Sequence, residues 1–211
     1  MSQNGASITI YSDYVCPFCY LGRLSLEEYR ETRSDELEID WHPFDLRSRK
    51  RGHDGEIDHS VDDGKDDAYF EEVRKNIARL KTEYDAEEML GLDDVPRPVD
   101  SFDAQLASFF VKTEYPDRWF VFDDAIFEAL WIEGQDVGDV DVLAALADDV
   151  GLDGDEIRTA IADEDLRDRL REQFSAAQRE GITAVPTFAY DEHVARGAVP
   201  PEHLRRLVEG P

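Results

Sequence analysis

The strongest constraint in this sequence is the placement of its two cysteines. Cys16 and Cys19 are the only ones in 211 residues, and two residues separate them. Before them, Ile8 and Ile10 alternate with Thr9 and Tyr11, the period-two pattern of a strand. Pro17 follows Cys16 and suits the first turn of a helix, where its missing N–H would have no partner anyway. Phe18, Leu21, Leu24 and Tyr29 then keep helical spacing to about residue 33, with Glu27, Glu28 and Glu31 facing water. Cys16 therefore falls at or just before a helix N-terminus. Unpaired backbone N–H groups and the positive end of the helix dipole favour a cysteine thiolate at such a place. Thiolate is the species that attacks disulfides. The spacing predicts a dithiol–disulfide redox site, with Cys16 as nucleophile and Cys19 as resolving thiol.

Three plainer readings compete. Half of a zinc site needs further ligands to complete a tetrahedron. No second cysteine pair exists, and His42, His53, His59, His193 and His203 show no ligand spacing, so no metal site is expected. A structural disulfide across two residues closes a tiny loop and stabilises little. Two inert buried cysteines would not need a strand, a turn and a helix in register around them. Gly22 inside the helix costs about 1 kcal/mol relative to alanine, which close packing on a sheet would explain.

The next strand is as clear. Leu37, Ile39 and Trp41 alternate with Glu38, Asp40 and His42, and Pro43 ends the run. Strand, helix and strand so close together form a βαβ unit with parallel strands and a right-handed crossover. Ligands of such sheets bind beyond the carboxyl ends of the strands, and Cys16 lies at that end of the first. Residues 47–67 are polar and glycine-bearing and read as a mobile loop, with His53 and His59 as solvated residues.

Helices follow. Phe70, Val73, Ile77, Leu80 and Tyr84 repeat every three or four residues. After a turn at residues 91–98, Ser101 is a candidate N-cap for a helix carrying Phe102, Leu106, Phe109 and Phe110. A further helix carries Phe122, Ile126, Phe127 and Leu130 and stops at Gly134. Asp139 or Asp141 caps the next, which ends at Gly151. One long helix is expected over residues 155–180. The cluster Trp119, Phe120, Phe122, Phe127 and Trp131 reads as core before it reads as a substrate groove, since aromatic residues dominate cores.

The C-terminal end returns to strand. Thr187, Phe188, Ala189 and Tyr190, a short turn, then Val194, Ala195 and Arg196 before Gly197 read as a hairpin. Pro200 opens a last helix with Leu204, Leu207 and Val208. Two strands at each end cannot form separate stable sheets, so one four-stranded sheet is built from both ends. The reading divides the chain into an N-terminal sheet part at 1–65, a helical insertion at 66–180 and a C-terminal sheet part at 181–211.

Charge sets further bounds. Fifty acidic against 23 basic residues give a formal net charge of −27, and 41% of residues are apolar, enough for a core. The acidic residues are spread along the chain, and lysine is confined to Lys50, Lys65, Lys75, Lys81 and Lys112. Such a surface argues against nucleic acid and anionic membrane as partners. Adaptation to a salt-rich cytoplasm, a halophilic trait, explains it more simply than an acidic docking face. No charged segment followed by an apolar run opens the chain, and no apolar run approaches the ~20 residues needed to span a bilayer. A cytoplasmic protein is expected, and an intracellular dithiol is more often catalytic than structural.

Ser12-Asp13-Tyr14-Val15-Cys16-Pro17-Phe18-Cys19-Tyr20-Leu21-Gly22 resembles the active-site segment of the DsbA-like thioredoxin-fold proteins, in particular the FrnE-like branch. Gly181-Ile182-Thr183-Ala184-Val185-Pro186-Thr187-Phe188 resembles that family's cis-proline segment, and Arg196-Gly197-Ala198 the end of its last hairpin. The resemblance implies an α/β, thioredoxin-like fold (βαβ … ββα, a mixed four-stranded sheet with a large all-helical insertion) and thiol–disulfide exchange without a cofactor. It implies that Cys16 is a solvent-facing nucleophile, Cys19 a buried resolving thiol and Pro186 the cis-proline beside them. Pro17, Phe18 and Val185 would contact the substrate, Val185 through its backbone. That substrate would be a protein or small molecule bearing a thiol or disulfide; a homodimer is left open.

Three residues depart from the family pattern. Phe18 stands where Trp or His is common, Ala184 where glycine is usual and Val199 where glutamine is usual. A related branch, the kappa-type glutathione transferases and 2-hydroxychromene-2-carboxylate isomerases, generally has serine at the nucleophile position. Cysteine at both positions favours the redox branch. A peptide-binding, chaperone-like module with an incidental dithiol is the remaining alternative.

Overall fold

The protein is described here from a computed structural model covering residues 6–52 and 55–210. The sequence readings that rest on residues 1–5 and on His53 lie outside these described residues. Strand β1 (Ala6–Ser12), helix α1 (Pro17–Glu31) and strand β2 (Leu37–Pro43) form the expected βαβ unit, with β1 and β2 parallel and Ile8 opposite Ile39. Helices α2 (Asp67–Glu83), α3 (Phe102–Glu114), α4 (Pro116–Trp131), α5 (Val140–Asp149), α6 (Gly154–Ile161) and α7 (Glu164–Arg179) follow. Strands β3 (Thr187–Tyr190) and β4 (His193–Arg196) and helix α8 (Pro201–Glu209) close the chain.

The four strands make one sheet in the order β2-β1-β3-β4, so both ends of the sequence meet at its centre. β3 runs antiparallel to β1, with Phe188 opposite Ile10, and pairs with β4 through a two-residue turn. Asp191 in that turn has φ +51°, a left-handed conformation that aspartate tolerates. Period-two alternation gives β1 two covered faces. Ile8 packs with Leu26 and Tyr29 of α1 and Leu204 of α8. Tyr11, on the opposite face, donates its hydroxyl to Glu180 just beyond α7. The principal core joins the sheet to the insertion through Trp41, Phe122, Ile126, Phe127 and Trp131.

Three expectations change in detail. The stretch read as one long helix is two, because the Asp163 carboxylate accepts from the N–H groups of Asp165 and Leu166 and starts α7 afresh after α6. Ser101 precedes α3 but makes no capping bond; its hydroxyl donates to the buried Asp13 carboxylate. The loop after β2 is tied down at one point. Arg51 bridges to Ile57 and its guanidinium holds both Asp45 and Asp100 at the entrance to α3. The aromatic cluster is core: Trp119, Phe122, Phe127 and Trp131 are buried, and Phe120 lies partly buried under the guanidinium groups of Arg23 and Arg30.

Candidate active site

Cys16 is the N-cap residue of α1, extended at φ −93° and ψ 112°, and Pro17 occupies the first turn. No side chain caps this helix end. Its turn is held by backbone bonds, Cys16 N–H to Asp13 C=O at 3.1 Å and Cys19 N–H to Cys16 C=O at 3.0 Å. Both cysteines are free thiols on the first turn of the helix. The β1–α1 turn thus performs locally what the spacing predicts.

The partner segment arrives from the far end of the chain. The Cys16 thiol donates to the Val185 carbonyl oxygen at 3.6 Å. The Val185–Pro186 peptide bond is cis. Pro186 is fixed from two sides. Its carbonyl accepts from Gly197 N–H at 2.8 Å, and its ring lies against α1 at Gly22. A Cβ on Gly22 would stand 3.0 Å from Pro186 Cγ and 3.2 Å from Phe188 Cζ, which explains a glycine in mid-helix. Thr187 closes the segment, its hydroxyl donating to Ala184 C=O. Cys16, Cys19, Pro17, Val185 and Pro186 are thereby brought to one place beyond the carboxyl end of β1, with Phe18 half-buried between the cysteines.

One expectation is corrected. Cys16 is not solvent-facing in this dithiol state; it is only 3% exposed. The Val185 carbonyl and the surrounding apolar cluster cover it. Tyr69, on the first turn of α2, is close enough for charge on Cys16 to push its phenol upward, after the larger effect of burial.

Two buried acids surround the dithiol, and the sequence reading assigned neither. Asp13 accepts from Val15 N–H at 3.2 Å, Leu46 N–H at 2.8 Å and the Ser101 hydroxyl. Burial nonetheless pushes its carboxyl up to about 6, with Asp45 adding repulsion against the opposing hydrogen bonds. Asp123 of α4 accepts from the Tyr14 hydroxyl at 2.7 Å and is ion-paired with Arg23 of α1. Burial outweighs that guanidinium and leaves the Asp123 carboxyl above the ordinary carboxylate range. Arg23 also donates to Asp124 and to the Phe120 carbonyl. The Cys19 thiol is itself raised, first by burial and then by Cys16, against a hydrogen bond from the Asp13 backbone.

Arg23 and Asp123 escaped the sequence reading because a single charge on a helical face looks solvated until its partner is known. Asp13 sits inside the very segment that carries the cysteines, and its position one residue beyond a strand was the signal available.

This geometry has counterparts. The model of the DSBA-like thioredoxin domain matches residues 7–209. The uncharacterised protein YwbO of Bacillus subtilis (strain 168) is 31% identical over 192 residues, covering 90% of each chain. A probable DsbA oxidoreductase from Streptomyces coelicolor has a similar structure, with a TM-score of 0.73 at 22% identity, over 97% of this chain and 89% of that one. The cytosolic disulfide reductase DsbM from Pseudomonas aeruginosa superposes with a TM-score of 0.62 at 18% identity, over 97% and 93% of the two chains. With the dithiol at the head of α1, the proline segment across from it and the helical insertion between the halves of the sheet, this chain belongs to the DSBA-like thioredoxin domain family.

Proposed function

We propose that the protein is a thiol–disulfide oxidoreductase in which Cys16 attacks and Cys19 resolves. The observation that carries this reading is the contact between the Cys16 thiol at the head of α1 and the Val185 carbonyl. The Cys16 thiolate attacks one sulfur of a substrate disulfide, and the other leaves as a thiolate. Cys19, ionised, then attacks Cys16 in the mixed disulfide. The substrate departs reduced and a Cys16–Cys19 disulfide remains. Run in reverse, the same steps oxidise a substrate dithiol.

The backbone of Val185, beside a proline that offers no N–H, is free to align an extended substrate segment. On the helix side the half-buried Phe18 is the candidate contact, whereas Pro17 is buried and, contrary to the sequence expectation, presents little surface to a substrate. The substrate is a protein or small molecule with a thiol or disulfide. Glutathione is a probe of choice, since DsbM has been seen with it. The acidic composition supports work in a salt-rich cytoplasm.

Insulin reduction in the presence of dithiothreitol tests the reading. Turnover in the wild type that is lost in both Cys16→Ser and Cys19→Ser supports it. Suppression of insulin aggregation untouched by either substitution would replace it with a binding module. Glutathione-dependent isomerisation that survives Cys19→Ser would replace it with an isomerase.

A further inference from the structure

The sheet has two edges, and they are treated differently. Along β2, helix α7 packs beside the strand and the Lys112 ammonium of α3 donates to the Trp41 carbonyl. β4 is the other edge, with α8 against one of its faces. Gly197 N–H bonds to Pro186 C=O, and bonded pairs in an antiparallel ladder recur every second residue, at Phe188–Ala195 and Tyr190–His193. The N–H and C=O groups of Val194 and Arg196 therefore point away from β3. Among the described residues none bonds to them. Such an edge is a template for a further strand.

A groove of about 680 Å³ lies between this edge and α8. Its floor is apolar: Ala195, Val199, Leu207 and Val208 pack onto the small core under α8. Val194 stands beside it, 47% exposed. The charge here is opposite to that of the whole chain. Residues 193–210 carry three arginines and two histidines against two glutamates, whereas the chain has 50 acidic and 23 basic residues. Glu209 lines the groove but is taken up by Arg33 and the Tyr29 hydroxyl, and Glu202 by Arg205. Asp191 sits at the turn that closes one end. Arg206 lines the groove beside His193 and His203 and makes no ion pair among the described residues.

We propose that this groove receives an extended acidic segment of a partner protein. The segment pairs with Val194 and Arg196 as a fifth strand, sets apolar side chains on the Ala195 and Leu207 floor, and brings carboxylates to Arg206, His193 and His203. Main-chain bonds supply affinity in this mode of recognition, and the side-chain sites supply specificity. A second copy pairing β4 with β4 would set two basic grooves against each other, which like charges oppose. No residue of the dithiol site lines the groove, and β3 carries the chain from Pro186 toward the turn at its far end. The partner is thus held while Cys16 stays free for exchange.

The test is fluorescence anisotropy of the full chain with a labelled peptide of alternating valine and aspartate, at a fixed salt concentration that keeps the chain folded. The probe binds saturably, and a probe with lysine in place of aspartate binds at least about tenfold more weakly. Arg206→Glu weakens the acidic probe by about tenfold or more. Val194→Pro abolishes binding, because proline removes an outward N–H and leaves the ladder to β3 intact. Both variants keep the helical circular dichroism of the wild type. If Val194→Pro fails to fold, methylating alternate backbone nitrogens of the probe removes the same bonds from the other side and abolishes binding to the wild type. Absence of saturable binding, equal binding of the lysine probe, or indifference to Arg206→Glu overturns the proposal. So does a dimer seen by sedimentation that Val194→Pro dissolves, since a second copy then occupies the edge.

Discussion

The Cys16 thiol and the Val185 carbonyl oxygen meet at 3.6 Å across 169 residues of sequence. One belongs to the turn after β1, the other to the segment that leads into β3, and these two strands pair at the centre of the sheet. The sulfur and the backbone proposed to hold its substrate are therefore fixed by the same ladder of hydrogen bonds.

The order of attack has a covalent signature. Cys19→Ser, treated with glutathione disulfide, accumulates a glutathionyl adduct on Cys16, because no neighbouring thiol displaces it. Cys16→Ser accumulates none on Cys19, whose thiol is held well above its ordinary range, first by burial. Intact-mass spectrometry reads both. An adduct on Cys19 in the second variant would reverse the two roles.

Gly22 is the joint between α1 and the proline segment. Alanine there gains about 1 kcal/mol of helix propensity, but its methyl meets Pro186 at 3.0 Å and Phe188 at 3.2 Å. Valine meets them harder. Gly22→Val is expected to lower stability by about 1–3 kcal/mol, the usual cost of overpacking, and to slow disulfide reduction by moving Pro186 away from Cys16. Urea unfolding and insulin turnover measure the two effects. Wild-type values for both would show that the contact is slack.

Asp13 gives stability a pH dependence with a definite sign. Its carboxyl rises from an ordinary 3.8 to about 6 on folding. The folded state therefore holds the proton more tightly. Stability from this group is present below pH 4 and is lost as pH rises from about 4 to about 6, on the order of 2–3 kcal/mol. Urea midpoints across that range, at fixed salt, should fall more steeply in the wild type than in Asp13→Asn. Parallel curves would mean that the carboxyl titrates as in the unfolded chain.

A net charge of −27 makes the compact state repel itself. Raising salt from about 0.1 to 1 M shortens the screening length from about 10 to 3 Å. The thermal midpoint is expected to climb over that range, and far-ultraviolet circular dichroism should show loss of helix at the lowest salt. A midpoint indifferent to salt would show that the acidic residues are spaced too widely to matter.

Much of this was legible in the residues because it is local. The strand, turn and helix around Cys16 follow from alternation, Pro17 and spacing, and Leu37–Pro43 announces itself by the same alternation. The break between α6 and α7 was not, because apolar spacing continues across it from Ile161 to Leu166 and only the Asp163 cap interrupts the backbone. Less legible still were pairings between distant single residues. Nothing beside Asp123 says that Arg23 and Tyr14 will meet it, and nothing beside Gly22 says that Pro186 will lie on it. Those contacts exist only after the sheet has closed.

The strand order carries a consequence for synthesis. A ribosome that has completed α7 has made every helix of the insertion but only half of the sheet. Until β3 emerges, the inner edge of β1 is unpaired and Cys16 has no carbonyl to face. The nascent dithiol thus waits, while the whole insertion is made, without its counterpart, and competence arrives in a single event once the proline segment and β3 have emerged.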